Sequence, residues 1–439
     1  MHDAAVPRVN EPAGTSRYAT ALDYLFARVT GGWKLGLERT SELLSLLGDP
    51  HMRIPAFHVA GTNGKGSVVS TLEALLRGLG LRVGKYTSPH LIDFRERIAV
   101  NGVPMSETDV VEFIERWTPD VERLGATFFE ATTAMAFDHF VREKVDVAVI
   151  EVGLGGRLDS TNVITPVAAG VSSIGIDHVQ YLGDTLELIA REKAGIFKRG
   201  IPAVIGETDP HLRAFLAELA RDAWANPVRR VADEWTVSNI DVSLDGTRFT
   251  LERSSGTREL RTPLIGRHQA ANTATALAML ESAGPPYAAA AVDPVAMLAN
   301  VRIAGRFQSV GSIIFDVAHN PAGCAVLCET LASVKPARPV TCLMTALRDK
   351  DWRAMMITLA PLVDRFVLAS PPSVPADRTW ALAEALEFAL AHGWRATADA
   401  DFDRALADAR AGNGTTLITG SFHTVGDAMA RLQVSPLVA

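Results

Sequence analysis

Hydrophobic and polar positions alternate along the chain in a way that predicts strands followed by helices. A short apolar run at 54–60 ends at a glycine, and after a polar loop apolar residues recur every three or four positions, which marks one face of a helix. The residues on that face are Val68, Val69, Leu72, Leu75, Leu76 and Leu79. Apolar runs at 145–152, 167–175 and 201–206 continue the alternation. This pattern predicts an α/β fold with a doubly wound, mainly parallel sheet.

The pattern changes in the second half of the chain. Short alternating polar and apolar segments between 227 and 262 predict a small antiparallel sheet, and a helix is predicted over 269–283. From residue 306 onward, apolar strands again alternate with helical segments, which predicts a second, smaller α/β domain. We therefore predict two domains, residues 1–300 and residues 301–439.

Composition and charge narrow the class of protein. Of the 439 residues, 48% are apolar and 21% are charged, as in a globular enzyme. The chain has three cysteines and no CxxC motif, which argues against a disulfide framework and against a zinc site. It contains no uninterrupted apolar run of about 18 residues, so no membrane-spanning helix is predicted. We expect a cytoplasmic protein that does not bind membranes. The net charge of −7 gives no general attraction for nucleic acid, so an anionic ligand must be held by local groups.

The segment AGTNGKGS at 60–67 has the composition of a phosphate-binding loop. It lies between a predicted buried strand and a predicted helix, where glycines let backbone N–H groups approach phosphate oxygens and the helix dipole favours negative charge. Lys65 would neutralise the β- and γ-phosphate oxygens. The spacing differs from the common P-loop, because two residues rather than four lie between Gly61 and Gly64. The alternative is a glycine-rich turn with no ligand.

Polar residues follow the neighbouring strands at the same predicted edge of the sheet. Glu151 ends one strand and is placed to hold Mg²⁺, while Asp177 and His178 follow the next strand. Each of these residues, taken singly, could equally be a solvated or salt-bridged side chain. The adjacent GLGG segment does not predict a dinucleotide site, because Leu158 stands where GxGxxG needs glycine.

Lys193 lies in the predicted helix LELIAREKAGIF. A lysine beside Mg²⁺ has a lowered pKa, and its neutral amine can capture CO₂ as a carbamate, which is an anionic oxygen ligand. The ordinary alternative is a surface lysine. In the second half, Asn272 lies in the first turn of a predicted helix, Arg306 lies in GRFQ, and Asp316 and His319 lie in FDVAHNP. An arginine and an aspartate there could clamp phosphate and bind ribose.

Several motifs in order resemble those of the folylpolyglutamate synthase/dihydrofolate synthase family. They are AGTNGKGS, YTSPHL, FFEATT, EVGLGGRLDSTN, SSIGIDH, REKAGIFK, GRFQ and DVAHNP, and they extend over residues 32 to 320, with GSFHTVGD at 420–427 continuing the likeness. The resemblance implies a Mur-ligase-like P-loop ATP-binding domain and a smaller Rossmann-like carboxyl-terminal domain, with the active site between them. It also implies a monomeric enzyme whose substrates are dihydropteroate, tetrahydrofolate and L-glutamate.

The resemblance assigns roles by matching position. The ATP-binding residues would be Gly61, Thr62, Asn63, Gly64, Lys65, Gly66, Ser67, Asn272, Arg306, Asp316 and His319. The Mg²⁺ ligands would be Ser88, Glu151, His178 and a carbamylated Lys193, and Lys65, His178 and Lys193 would be the catalytic residues. The pterin pocket would be formed by Trp33, Lys34, Leu35, Thr127, Phe128, Phe129, Arg157, Leu158 and Asp159.

The resemblance implies glutamate ligation driven by ATP and Mg²⁺, because a free carboxylate must be activated before an amine can attack it. Three alternatives stay open. The enzyme could act only as a folylpolyglutamate synthase. A peptidoglycan-building Mur ligase would need a further domain before the ATP loop, and only 60 residues precede Gly61 here. A P-loop protein that hydrolyses nucleotide without ligation would release ADP without glutamate.

Overall fold

The computed structural model describes residues 16–29 and 36–436. Its largest sheet has eight strands in the order β4-β3-β2-β5-β1-β6-β7-β8. The strands are β1 (Ala56–Ala60), β2 (Val83–Tyr86), β3 (Ile98–Val100), β4 (Val103–Pro104), β5 (Val147–Glu151), β6 (Ala168–Val171), β7 (Ala203–Ile205) and β8 (Val228–Arg230). All neighbours are parallel except β2/β3 and β3/β4, which are antiparallel. The predicted mainly parallel sheet is confirmed, with an antiparallel edge that the sequence pattern did not reveal.

Helices cover both faces of this sheet, as a parallel sheet requires. They are α1 (Arg17–Ala27), α2 (Glu38–Leu46), α3 (Lys65–Gly78), α4 (Glu107–Leu124), α5 (Phe128–Arg142), α6 (Val179–Leu182), α7 (Leu186–Ala194), α8 (Pro210–Asp222), α9 (Val231–Glu234), α10 (His268–Ala283) and α11 (Val295–Leu298). The predicted apolar face of α3 is buried at Val68, Val69, Leu72, Leu75 and Leu76, in a core shared with α10 and the central strands. This packing fixes the N-terminus of α3 at the edge of the sheet.

A three-stranded antiparallel sheet follows, as the alternating segments predicted. Its strands are β9 (Thr236–Ser243), β10 (Gly246–Arg253) and β11 (Gly256–Thr262), with β10 in the centre. Phe249, Leu251 and Leu260 point from one face of this sheet into the core that contains α10. The small sheet therefore supports the outer side of α10, whose first turn lies near the glycine loop.

The last part of the chain forms a six-stranded sheet in the order β12-β13-β17-β14-β15-β16, in which only β12/β13 is antiparallel. Its strands are β12 (Gln308–Val310), β13 (Ile313–Phe315), β14 (Val340–Met344), β15 (Arg365–Ala369), β16 (Ala396–Asp399) and β17 (Thr415–Thr419). The helices that pack on it are α12 (Pro321–Val334), α13 (Trp352–Leu359), α14 (Leu382–Ala391), α15 (Phe402–Arg410) and α16 (Phe422–Arg431). This is the second α/β unit that the sequence predicted; the boundary at residue 300 remains a prediction.

The topology brings four strand ends to one edge of the large sheet. β1 pairs in parallel with β5 and β6, so that Val59 is opposite Glu151 and Ala60 is opposite Val171, and β2 continues the row beside β5. Ligands bind in such folds beyond the carboxyl ends of the strands. Among residues 16–29 and 36–436, no helix is long and apolar enough to cross a membrane.

Candidate active site

The glycine loop joins β1 to α3 and is fixed by the segment after β6. The Thr62 N–H donates to the Ser173 carbonyl at 2.7 Å, and the Thr62 hydroxyl donates to the Gly175 carbonyl at 3.0 Å. Gly64 has φ +85° and caps α3, so the chain turns sharply there at a position that favours glycine. A Cβ atom on Gly64 would lie 2.6 Å from the Asn272 side-chain oxygen of α10. The structure thus brings Asn272 against the loop, and the first N–H groups of α3 face the same edge.

Two lysine amines meet at this loop. The Lys65 ammonium donates to the carbonyls of Gly61 at 3.1 Å and Thr62 at 3.3 Å, and the Lys193 amine donates to the same Gly61 carbonyl at 2.9 Å. Lys193 is only 4% exposed. Burial, together with the nearby positive charge of Lys65, lowers the pKa of Lys193 to about 7. The alternative of a surface lysine is therefore excluded, and the environment suits a neutral, nucleophilic amine.

Glu151 lies at the end of β5, beside the first turn of α3. Its carboxylate is buried and accepts a hydrogen bond from the Ser88 N–H at 3.4 Å. Burial raises the pKa of Glu151, while the positive charges of Lys65 and Arg306 oppose that shift. A Cβ atom on Gly66 would lie 3.9 Å from the Glu151 carboxylate. The structure therefore places Ser88, Glu151 and the loop within one small region.

Asp177 and His178 connect this region with the second α/β unit. Asp177 accepts hydrogen bonds from the Lys350 ammonium at 2.6 Å and the Asn320 amide at 3.0 Å, and His319 lies 3.3 Å away. Burial alone would raise the pKa of Asp177, but the hydrogen bond and charge of His319 and the charges of His178 and Lys350 lower it below its usual range. Sequence reasoning missed Lys350 and Asn320, although Asn320 stands inside the DVAHNP motif.

His178 is neutral near pH 7. Burial lowers its pKa to about 4, and the charges of Lys350, His319 and Lys65 act in the same direction, against the opposing effect of Asp177. Its Nε2 atom lies 3.9 Å from the Asp177 carboxylate. A neutral imidazole retains a lone pair, which is the form that binds metal ions.

The second unit presents Arg306 and Asp316 to the same region. Asp316 accepts hydrogen bonds from the N–H groups of Phe307 at 2.8 Å and Ala318 at 2.9 Å, and burial raises its pKa against the effect of Arg306. The Arg306 guanidinium lies 5.0 Å from the centre of the Phe422 ring, and burial lowers its pKa while Asp316 and Glu151 oppose that shift. His319 Nδ1 is 2.9 Å from the Val317 carbonyl. These predicted ATP contacts therefore lie opposite the glycine loop.

The residues predicted to hold a pterin lie in three segments. The first segment, Trp33, Lys34 and Leu35, lies outside the described residues. Thr127 caps α5, and its N–H donates to the Glu130 carboxylate at 2.7 Å. Phe128 has the Phe26 ring stacked on it at 5.5 Å and the Arg97 guanidinium over it at 5.2 Å. Phe129 is half-buried against Gly153 and is the more accessible of the two rings.

Arg157 and Leu158 line a small cleft with Leu154, Tyr181 and Glu192. Asp159, in contrast, is buried and braces its own loop, because it accepts hydrogen bonds from the N–H groups of Leu154 at 2.8 Å and Thr161 at 3.0 Å. His58 supports this loop from below, with its Nε2 atom 2.8 Å from the Thr161 hydroxyl oxygen. The role of the three segments in substrate binding remains a prediction.

The predicted metal ligands fit a cation that keeps part of its water. Within the described residues, no cluster of three or more His, Cys, Asp and Glu side chains could hold a metal ion without other donors. The predicted set instead combines Glu151 and His178 with the Ser88 hydroxyl and a carbamate. Mg²⁺ commonly binds one or two carboxylates and completes its shell with water and phosphate oxygens. The buried Glu151 carboxylate, which accepts only the long Ser88 hydrogen bond among described residues, suits such an ion.

The comparisons with known proteins agree with this architecture. Residues 59–280 match the Mur ligase middle domain, and residues 305–422 match the glutamate ligase domain of Mur ligases. The fold and the site therefore define an ATP-dependent ligase of the Mur type. The predicted fold class and enzyme class are confirmed.

Relatives over the whole chain identify the family. A Bacillus subtilis dihydrofolate synthase/folylpolyglutamate synthase is 35% identical over 429 residues, covering 95% of this chain and 99% of the relative. The Escherichia coli FolC structure in complex with DHPP and ADP has a TM-score of 0.83 and 34% identity, covering 96% of this chain and 99% of that one. A structure of a bifunctional folylpolyglutamate synthase/dihydrofolate synthase with Mn, AMPPNP and L-glutamate bound has a TM-score of 0.81 and 34% identity, covering 96% of this chain and 99% of that one. The chain belongs to the dihydrofolate synthase/folylpolyglutamate synthase family.

Proposed function

We propose that the chain joins L-glutamate both to dihydropteroate, giving dihydrofolate, and to the γ-carboxylate of tetrahydrofolate, with ATP and Mg²⁺. The observation that carries the proposal is the convergence of Lys65, Lys193, Glu151 and His178 at one sheet edge that faces Arg306 and Asp316. The relatives' names and bound molecules support the choice of substrates.

The acceptor carboxylate attacks the γ-phosphorus of ATP in the first step. A new C–O–P bond forms, the bond between the γ-phosphorus and the bridging oxygen breaks, and ADP leaves, giving an acyl phosphate. Lys65 and the N–H groups at the start of α3 neutralise the charge that develops on the phosphoryl oxygens. Arg306 binds phosphate from the second unit, while Asn272 and Asp316 position the nucleoside.

Ser88, Glu151, His178 and the carbamate of Lys193 would hold Mg²⁺, which supplies positive charge to the phosphate oxygens. The carbamate forms when the neutral Lys193 amine attacks CO₂, creating an N–C bond and releasing one proton. The buried position and lowered pKa of Lys193 support this step, since they keep a large part of the amine neutral near pH 7.

Glutamate's neutral amine then attacks the carbonyl carbon of the acyl phosphate. The tetrahedral intermediate collapses to an amide, inorganic phosphate leaves with the C–O bond electrons, and the amine loses its proton. His178 serves as a ligand in this scheme, so the proposal assigns no side chain as the general base. The reaction consumes one ATP for each glutamate added.

The test is ADP release by the purified protein with ATP and Mg²⁺, with and without glutamate, comparing dihydropteroate with tetrahydrofolate monoglutamate. We expect glutamate-dependent release with both acceptors. Release with tetrahydrofolate alone would reduce the function to folylpolyglutamate synthase. Release that does not require glutamate would indicate a nucleotide hydrolase instead, and release with neither acceptor would point to another Mur-type substrate.

The partners in this proposal are small molecules, and the chain works as a cytoplasmic monomer that binds neither nucleic acid nor membrane. Three free thiols at Cys324, Cys328 and Cys342 support a reducing compartment. Light scattering coupled to size-exclusion chromatography tests the monomer, which a stable dimer mass would exclude.

A further inference from the structure

Arg97 is a buried arginine at the edge of the site that neither the motifs nor the steps above use. It ends a short 3-10 helix, Phe94–Arg97, directly before β3, and it is only 8% exposed. The Arg97 carbonyl accepts a hydrogen bond at 2.9 Å from the N–H of Thr87, the residue before Ser88. Arg97 and Glu151 also interact electrostatically. Arg97 therefore lies at the strand edge where the proposed metal ligands meet.

Neutral groups orient the Arg97 guanidinium. Its Nε donates to His90 Nδ1 at 2.8 Å, and the plane lies over the Phe128 ring with Cζ 5.2 Å from the ring centre. His90 Nδ1 must be the acceptor in this bond, because a guanidinium can only donate. Within the described residues, Nε is the only atom of the guanidinium that donates a hydrogen bond to the protein, which leaves the terminal nitrogens available to a ligand.

No carboxylate forms an ion pair with Arg97 within the part of the chain that the structure describes, whereas Arg95, two residues away, pairs with Asp93 at 2.7 Å. A buried guanidinium without a counter-ion is costly, because burial removes its hydration without replacing it. An arginine held flat against an aromatic ring presents a fork of N–H donors that matches a carboxylate. These features together indicate an anion-binding position.

We propose that Arg97 binds the carboxylate of the acceptor substrate, the group that receives the phosphoryl from ATP. The inference rests on the proposed function and adds a substrate-binding residue to it. Phe128, on which Arg97 lies, belongs to the segment predicted to hold the pterin, and Glu151 belongs to the predicted metal site. Arg97 thus lies between the predicted pterin pocket and the predicted metal site. It would bind one oxygen of the acceptor carboxylate while the other oxygen attacks the γ-phosphorus.

The test compares the binding affinity of dihydropteroate with that of its methyl ester. Binding is measured in the presence of EDTA, which removes Mg²⁺, so that only groups of the protein can distinguish the acid from the ester. A charge-assisted hydrogen bond to the carboxylate corresponds to a preference for the acid of about 10- to 100-fold. We expect that preference in the wild-type protein and a fall to about threefold or less in Arg97→Met, which keeps the apolar stem of the side chain. Arg97→Lys should retain part of the preference, since it keeps the charge and loses the fork.

Arg213→Met is the matched control, because Arg213 is equally buried, at 8% exposure, but pairs with Asp233 beside α8. It should keep the wild-type preference. A preference unchanged in both Arg97 variants, or lost equally in Arg213→Met, would overturn the inference while leaving the proposed function intact. If Arg97→Met does not fold, Arg97→Lys decides alone, and an unchanged ratio there also overturns it. A wild-type protein that binds neither compound would instead contradict the proposed function itself.

Discussion

At the scale of single residues, the site depends on two lysine amines that share one carbonyl. Lys65 belongs to the loop itself, whereas Lys193 comes from α7 and reaches the Gly61 carbonyl from the side. Burial lowers the pKa of Lys193, and the positive charge of Lys65 acts in the same direction. The consequence is that a large part of the Lys193 amine is neutral near pH 7.

The proposed carbamylation of Lys193 predicts that the activity depends on CO₂ and pH. Its pKa in the folded protein is lowered to about 7, so the reactive neutral fraction rises from about one tenth at pH 6 to about nine tenths at pH 8. We expect protein stripped of CO₂ to have low activity and to recover it when bicarbonate restores CO₂, faster at pH 8 than at pH 6 when the dissolved CO₂ concentration is the same at both pH values. Initial rates of ADP release after bicarbonate addition measure this.

Lys193→Ala provides the companion variant. It should lower turnover about 100-fold, should not respond to bicarbonate, and should recover partly with acetate or formate, which can replace the carbamate oxygens. Lys335→Ala, an exposed lysine of the second unit, serves as control and should behave as wild type. Full activity of Lys193→Ala would remove the carbamate from the mechanism.

Sequence reasoning located residues that stand inside motifs and missed those that only the fold brings in. Glu151 ends β5, His178 immediately precedes α6, and Lys193 lies in the last turn of α7. The parallel topology then places these motif residues together. Arg97 and Lys350 carry no such signal, because each reaches the site through tertiary contacts from a segment without a motif. The sequence also did not predict the burial of Asp159, because this burial depends on hydrogen bonds within a loop that has no regular pattern.

At the scale of elements, the close approach of α10 to the glycine loop decides whether the loop can hold phosphate. Gly64 and Gly80 have nearly the same backbone, with φ +85° and φ +81°, but only Gly64 is crowded. A Cβ atom at Gly64 would be 2.6 Å from the Asn272 oxygen, whereas one at Gly80 would meet nothing within 4 Å. Alanine substitutions at Gly64 and Gly80 therefore distinguish the effect of backbone strain from the effect of contact with α10.

Gly64→Ala and Gly80→Ala are expected to differ in ATP binding. Both should lower the free energy of unfolding by about 1 kcal/mol, because alanine is disfavoured at positive φ. Only Gly64→Ala should weaken ATP binding, by about tenfold or more, since the loop or Asn272 must move. Denaturant titration and calorimetric binding measure the two effects. Equal ATP affinity in the two variants would show that the approach of α10 to the loop does not matter.

The elements themselves were largely predictable. Strands β1, β5 and β6 and helices α3 and α10 follow from apolar runs and from three- and four-residue spacing, because central parallel strands are buried on both faces. The antiparallel edge formed by β3 and β4 was not predicted, since strands of three and two residues are too short for a period to show. The edge strands β12 and β16 are similarly short.

At the scale of the whole molecule, the ion pair between Lys350 and Asp177 joins the two α/β units across the site. Asp177 has a lowered pKa in the folded protein, so its stabilising contribution is present above the unfolded value of about 3.9 and is lost as the pH falls below that value. Near neutral pH the Asp177 carboxylate is therefore charged and can pair with Lys350. The ion pair holds Arg306 and Asp316 opposite the glycine loop.

Lys350→Met should loosen the arrangement of the two units. We expect a larger radius of gyration in small-angle scattering and a fall of about 10-fold or more in turnover, because the nucleotide contacts from the second unit are positioned less often. Lys335→Met, from the same unit, is the control, since Lys335 is exposed and should leave both quantities unchanged. Wild-type scattering and turnover in Lys350→Met would show that this ion pair does not hold the units together.

The central claim is that ATP activates the acceptor carboxylate as an acyl phosphate before glutamate attacks. The most direct measurement uses dihydropteroate labelled with ¹⁸O in both carboxylate oxygens, with mass spectrometry of the phosphate and amide products. The account predicts one ¹⁸O in each phosphate released and one retained in the amide, because the oxygen that attacks the γ-phosphorus leaves with it. Unlabelled phosphate formed together with the amide would contradict the account, since the carboxylate oxygen would then never have been bonded to phosphorus.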